Sequence, residues 1–390
     1  MSAYMDYSAG ARVDERVIEA MMPYLTEKVG NPSSVHGLGQ ESKMAVDEAR
    51  LKVAELIGAT EKEIIFTASG TESNNLAILG TANRLEKKGK RMVTSTIEHM
   101  SVINPLKSLH KKGFDVVRVP VDEHGIIDLG KLVEAITDET ILVSVTYANG
   151  EIGTLEPIKE IGEITKEKGV YFHVDGVAAA GKVDIDVERD KIDLLSISSN
   201  DIFGPRGVGA LYVRRGVSIN PIILGGGQER GLRSATENVA GIVGFGKAAE
   251  LAKKEMEAEG KTLARLRDKL IKGILDNIPH SYLNGHPTQR LPNNAALRFS
   301  YIEGEGVLLH LDMSGISVST GSACTSKTLE PSHVLTAMGL THEDAHGSML
   351  FTMGRWSIEE EVDYVLETMP GIVERLRAMS PFTPPELKPQ

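Results

Sequence analysis

The sequence predicts an α/β protein, a seven-stranded and mainly parallel sheet joined to a smaller α+β domain, on three observations. Seven short β-rich runs follow one another between Glu63 and Arg215. Helical periodicity fills several of the gaps, as in Leu76 to Lys87, Met100 to Lys112 and Pro157 to Lys168, and such alternation gives a parallel sheet covered by helices. From Gly246 to Asn277 the chain turns long, charged and rich in Ala, Leu, Lys and Glu, which suits one or two helices leading into another domain.

In chain order the strand candidates are 63–69, 91–98, 115–122, 140–148, 170–176, 194–199 and 208–215. Two more, 295–301 and 348–353, lie in the second domain, followed by a helix from Ile358 to Met379 and a Pro-rich tail. Met21 and Met22, at helical spacing, read as core filling.

The composition narrows the function. With 390 residues, 41% hydrophobic and 25% charged, the chain is an ordinary globular protein, not a disordered or fibrous one. A net charge of −11 argues against a phosphate backbone as the main partner. Residues 1–14 lack a basic segment followed by an apolar one, and no run is long enough to span a bilayer, so a cytoplasmic protein is expected. The single cysteine, Cys324, excludes an internal disulfide and any metal site built from several thiolates of one chain.

Three segments carry candidate chemistry. Ser69-Gly70-Thr71-Glu72-Ser73-Asn74-Asn75 follows a β-run and opens a helix, a place where backbone N–H groups and hydroxyls hold phosphate or simply cap the helix. His173-Val174-Asp175 ends a strand of the predicted sheet, where ligands bind; Asp175 suits a cationic ring nitrogen. Ser317 to Lys327 is crowded with small and polar residues that are hard to bury, and presents Cys324 on a loop as a reactive thiol.

Other motifs lead nowhere. His342-Glu343-Asp344-Ala345-His346 matches H-E-x-x-H, yet Gly339 and Gly347 bracket it and Thr341 with Asp344 reads as the capping box of a short helix. His36, His280, His286 and His333 have no ligand spacing and read as surface or hydrogen-bonded side chains. Gly225-Gly226-Gly227 lacks a following Gly-Lys-Ser/Thr and reads as a turn.

Taken together, DYSA (6–9), GNPSS (30–34), SGTESNN (69–75), Glu98-His99, EIG (151–153), HVD (173–175), GPRGVGALYVRR (204–215), GGGQERGLRSATEN (225–238), SYLNG (281–285) and TGSACTS (320–326) make the chain resemble the cysteine desulfurases of NifS/IscS type over nearly its whole length. The resemblance implies a fold-type I pyridoxal-phosphate (PLP) architecture like that of the class V aminotransferases. It implies a large domain over 14–257, a small domain from 1–13 and 258–380 bearing the Cys324 loop, and a tail over 381–390. It also implies a homodimer with active sites at the subunit interface and a place in iron–sulfur cluster assembly, where Cys324 takes up sulfur as a persulfide and passes it to a U-type scaffold. Carried over residue by residue, Gly70, Thr71 and Ser198 bind the PLP phosphate, Thr236 binds the phosphate of the neighbouring subunit's site, His99 stacks on the ring, and Asp175 lies beneath the pyridine nitrogen.

The chain departs from the family pattern at one pocket. Where these enzymes read Ser-Gly-His-Lys, whose lysine forms the Schiff base with PLP, this sequence reads Ser198-Ser199-Asn200-Asp201, and a carboxylate forms no imine. Gly150 replaces an Asn and Ala178 a Gln that bond the PLP phenolic oxygen. Asn200 replaces a phosphate-binding His, and Leu350 stands where an arginine receives the substrate carboxylate, a clamp worth about 1.5–3 kcal/mol per charge-assisted bond. Arg233, Arg355, His99 and Asp175 remain. The expectation is a cluster-assembly protein with weak or lost desulfurase turnover. Cys324 would supply the fourth thiolate of a [2Fe–2S] cluster on a scaffold offering three, or carry persulfide. The alternative is an active PLP-dependent desulfurase, with the cofactor held non-covalently or through another lysine, that releases sulfur from L-cysteine and forms alanine.

Overall fold

The computed structural model describes residues 2–321 and 331–385. Cys324 and the end of the tail therefore lie outside the described residues. The strands are β1 (Ala3–Tyr4), β2 (Ile64–Thr67), β3 (Arg91–Ser95), β4 (Asp115–Val119), β5 (Thr140–Thr146), β6 (Tyr171–Asp175), β7 (Leu194–Ser198), β8 (Gly209–Val213), β9 (Ser281–Leu283), β10 (Asn294–Phe299), β11 (Ile316–Ser317) and β12 (Ser348–Thr352).

Seven of them form one sheet in the order β2-β8-β7-β6-β5-β3-β4. Pairing is parallel from β4 through β7, and only β8 runs against its neighbours. The interior strand β5 is buried along its full length, as a strand with helices on both faces must be. One face packs Val143, Val145 and Phe172 against Val46 and Val53 of the helix Gly37–Leu56 and Phe245 of the helix Val239–Asn277. The other packs Met92 and Leu142 against Leu76 and Ile78 of the helix Gly70–Leu85 and Val102 and Leu106 of the helix Met100–His110. The fold class read from the sequence is the fold observed.

The Ala/Leu/Lys/Glu-rich stretch is one helix of 39 residues, about 58 Å long. Gly260 and Gly273 do not break it. A Cβ at Gly273 would come within 2.6 Å of Leu366 Cδ2, so this glycine admits the helix Glu359–Met379, while a Cβ at Gly260 would meet open space. Past its midpoint the long helix enters a second core, where Leu266, Leu270 and Ile274 meet Phe299, Phe351, Val365 and Met369. Ala3 and Met5 belong to this core, and β9, β10 and β12 form its antiparallel sheet. Met21 packs against the first core as expected, whereas Met22 is 46% exposed and fills none.

Candidate functional site

Five strands pointing the same way deliver their C-terminal ends to one cavity of about 410 Å³, closed on the far side by residues of the second core's sheet and its loops. This is the position where ligands bind in such sheets. Gly70, Thr71, His99, Asp175 and Ser198 all line it. Thr236 is exposed and outside the lining of this chain's cavity.

After β2 the chain turns into the helix Gly70–Leu85. Ser69 caps it, its Oγ accepting from the Glu72 N–H at 3.1 Å. A Cβ on Gly70 would lie 2.5 Å from Val177 Cγ2, so only glycine lets the first turn sit against Val177 and leaves a helix N-terminus bare toward the cavity, a cradle for an anion. At the end of β3, His99 caps the helix Met100–His110. Its Nδ1 accepts from the Ser101 N–H at 3.1 Å, which in the neutral ring assigns the proton to Nε2.

Asp175 ends β6. Its Oδ2 accepts from Asn74 Nδ2 at 2.7 Å and its Oδ1 from the Val177 N–H at 3.1 Å. Burial pushes its pKa up, against the opposing charge of His99, so the carboxylate lacks a full cationic partner and suits a protonated ring nitrogen. His173, two residues earlier, has no part in the cavity. Held between Ser144 Oγ at 2.8 Å and Ser196 Oγ at 3.0 Å and wholly buried, it is pushed down to about 3 and stays neutral.

At the end of β7, Ser198 Oγ donates to Asn200 Oδ1 at 2.7 Å, and Asn200 Nδ2 donates to Asp201 Oδ2 at 3.0 Å. Burial raises the Asp201 pKa, with Lys182 opposing and Asp175 adding to the rise. Asn149 spends its side chain on its own turn, accepting from the N–H groups of Glu151 and Ile152 and donating to the Ile97 carbonyl. A Cβ on Gly150 would lie 3.6 Å from Ala178 Cβ. The two small residues thus face one hollow, where neither offers a side-chain donor. Leu350, on β12, adds an apolar wall.

The surviving arginines do not reach this cavity. Arg233 pairs with Glu72 at 2.9 Å, and Arg355 with Asp14 at 2.6 Å and Glu259 at 3.2 Å; both are structural ion pairs outside the lining. Several lining groups, Glu98 and Glu151 among them, stand in the family motifs without a chemical role assigned to them from the sequence. Glu98 is fully buried, its Oε1 accepting from Ser95 Oγ at 2.6 Å and from the Thr146 N–H at 3.1 Å, and burial pushes it up to about 8. Glu151, pushed up by burial to about 7, packs where a Cβ on Gly321 would come within 3.0 Å of its Cγ. His333, read as surface or hydrogen-bonded, lines the cavity and sits 2.9 Å from the Glu98 carbonyl oxygen. Lys182 also lines it.

PLP would fit at two of its ends and misfit at two. The bare helix start with Ser198 suits its phosphate, and Asp175 with His99 suits its ring. The Gly150–Ala178 hollow offers nothing to the phenolic oxygen, and Asp201 cannot bind the aldehyde covalently. When bound, the group supplies an electron sink for bond breaking at an amino-acid carbon. Among the described residues no group of three or more His, Cys, Asp or Glu side chains is placed to hold a metal ion. The His342–His346 segment is a five-residue helix capped by Thr341, whose Oγ1 accepts from the Asp344 N–H. No described helix is long and apolar enough to cross a membrane.

Residues 3–365 match the family described as Aminotransferase class-V. The chain is 58% identical to cysteine desulfurase IscS 1 of Archaeoglobus fulgidus, over 97% of this chain and 99% of that one. It is 54% identical to cysteine desulfurase IscS of Methanosarcina thermophila, over 99% and 96%. Among solved structures a NifS-like protein superposes with a TM-score of 0.91 at 39% identity, covering 96% of this chain and all of that one. A NifS-like protein of Rickettsia africae superposes with 0.86 at 30%, covering 95% and 99%.

Proposed function

Because the chain belongs to the IscS/NifS cysteine desulfurases of the class V aminotransferase family, we propose that it serves cytoplasmic iron–sulfur cluster assembly with weak or lost desulfurase turnover. In this reading a homodimer docks a U-type scaffold and lends Cys324 as persulfide carrier or as a ligand of a [2Fe–2S] cluster. The observation that carries it is Asp201. An acid stands in the cavity at the end of β7, where the family pattern has the lysine that holds PLP. Gly150, Ala178 and Leu350 weaken the same cavity at the phenolic oxygen and at the substrate carboxylate.

Two further features support the reading. Ser319, Gly321 and Ser332, which flank the segment bearing Cys324 in sequence, line the cavity. Exposed apolar side chains at Ile18, Leu25, Val29, Val35 and Leu38 suit burial against a second copy. Sites for cofactor in this reading are Gly70, Thr71, His99, Asp175, Ser198 and, across the dimer, Thr236. The test is cluster content of the complex co-purified with scaffold: Cys324→Ser abolishes cluster retention and leaves dimerisation intact, and unchanged cluster occupancy removes the ligand role.

A second reading, a working PLP-dependent desulfurase, is favoured by one observation, the Lys182 amine in the cavity. Sulfide release from L-cysteine with added PLP, read with the visible spectrum, separates the two. Release that depends on both PLP and Cys324 supports the second reading. No release and no bound chromophore supports the first.

A further inference from the structure

The wall of the cavity is short of hydrogen-bond donors. Among the described residues, four buried side-chain atoms of its lining have no partner, Asn74 Oδ1, Glu98 Oε2, Glu151 Oε1 and Asn293 Oδ1. All four are oxygens. Turning the two amides round would not change this, because Asn74 Nδ2 donates to Asp175 Oδ2 at 2.7 Å and Asn293 Nδ2 to the Met353 carbonyl oxygen at 3.1 Å. Each Oδ1 is therefore left as a pure acceptor. Asn74 is 1% exposed and Asn293 6%, and buried polar atoms left without a partner are rare.

Charge runs the same way. Glu98, Glu151, Asp175 and Asp201 line the cavity, against Lys182 as the one lysine or arginine of the described lining, and Lys182 Nζ donates to the Ala178 carbonyl at 3.1 Å. Asp175 is held by the Asn74 amide and the Val177 N–H, and Asp201 by the Asn200 amide, donors that carry no charge. Burial raises the pKa of all four acids, as it does for carboxyl groups short of counter-ions. The acceptors also stand on two walls. Asp175 ends β6 and Asp201 follows β7, whereas Asn293 immediately precedes β10 of the second core's sheet. Val177, Leu291 and Leu350 make the lining apolar elsewhere.

We propose that the cavity binds an aliphatic diamine or longer polyamine, a methylene chain with a protonated amine at each end, one ammonium on the strand-end wall at Asp201 and the other across the cavity at Asn293. Each ammonium brings three N–H donors and a positive charge to a wall that lacks both, and the methylene chain meets the apolar part of the lining. The cavity's volume of about 410 Å³ is within the range of small-molecule sites. The inference goes beyond the assembly role and does not involve Cys324.

The experiment is calorimetric titration of the full chain with 1,4-diaminobutane, 1-aminobutane and 1,4-butanediol, three chains of one length with two, one and no ammonium groups. The expected result is saturable binding of the diamine at one site per chain, at least tenfold tighter than the monoamine, with no heat from the diol. Protons leave the raised acids as the amine binds, so the diamine heat differs between two buffers of unlike ionisation heat. Cys324→Ser binds the diamine equally, and Asp201→Asn, checked for folding by its thermal transition, binds it at least tenfold more weakly. A flat diamine titration, equal affinity for diamine and monoamine, or unchanged affinity in Asp201→Asn overturns the proposal. The first two comparisons use the unaltered chain, so a misfolded variant cannot obscure them. The visible spectrum of the same sample keeps the two readings apart, since a PLP band there counts against the assembly reading and only the titration counts against this one.

Discussion

Replacing Glu98 by Gln tests whether the cavity holds a neutral acid at physiological pH. Glu98 Oε1 already has two donors, and Oε2 is buried without a partner among the described residues, so burial keeps the proton on and raises the pKa from 4.5 to about 8. In the unfolded chain the same group ionises at its ordinary value. Because the folded value is the higher one, the stabilisation is complete below pH 4.5 and is lost as pH rises toward 8. Each pH unit inside that window costs about 1.4 kcal/mol, so between pH 5.5 and 7.5 the wild-type loses about 2.7 kcal/mol through this one group. Gln has the same shape and no titration. Glu151, also raised by burial, and His173, lowered by it, contribute to both proteins, while Glu156 is raised by burial and further by Glu98, so the difference between the two pH slopes reports Glu98 together with its coupling to Glu156. The assay is urea unfolding of each protein at pH 5.5, 6.5 and 7.5. The expectation is a slope shallower by about 2.7 kcal/mol in Glu98→Gln, with a loss of no more than about 1–2 kcal/mol at pH 5.5 for the amide N–H left unpaired. Identical slopes, or a loss above about 3 kcal/mol at pH 5.5, would show that the side chain is ionised in the fold and that the reasoning fails.

Two further outcomes are expected. Asp201→Lys strengthens PLP binding, seen as visible absorbance, without bringing sulfide release to the level of an ordinary desulfurase, because Gly150, Ala178 and Leu350 remain; full turnover from that single change would show that those three positions matter little. Gly153→Ala, at φ +80° with a Cβ that would lie 2.6 Å from Asn294 Oδ1, destabilises the fold by about 1–3 kcal/mol, read as a lower denaturant midpoint at constant slope; an unmoved midpoint refutes the strain.

The sheet was legible because its interior strands are buried on both faces and read as apolar runs, β5 most plainly, while the edge strand β4 is largely exposed. The three-residue β9 and the two-residue β1 and β11 escaped notice because they are too short to show an alternating pattern, and β1 and β11 pair with each other from opposite ends of the chain. The helix at 239–277 was legible as helical but not as single, since a glycine that admits a neighbouring helix reads locally like a breaker. In the cavity, motif residues such as Gly70 and Asp175 announced themselves through spacing. Lys182 and His333 did not, and Glu98 stood in a motif without a role of its own, because their significance comes from tertiary burial. The reverse holds for Arg233 and Arg355, retained in sequence yet spent on Glu72 and Asp14.

The cavity floor consists of the ends of five strands whose hydrogen-bond ladders lie behind it. Positions 150, 178 and 201 sit beyond those ladders, and Leu350 holds its β12 place through backbone pairing that any side chain permits. The fold thereby separates inheritance of shape from inheritance of reaction. A substitution at these positions alters what the cavity can transform while the contour offered to other molecules is handed on unchanged, so an assembly role and a chemical role in one protein can be kept or lost one at a time.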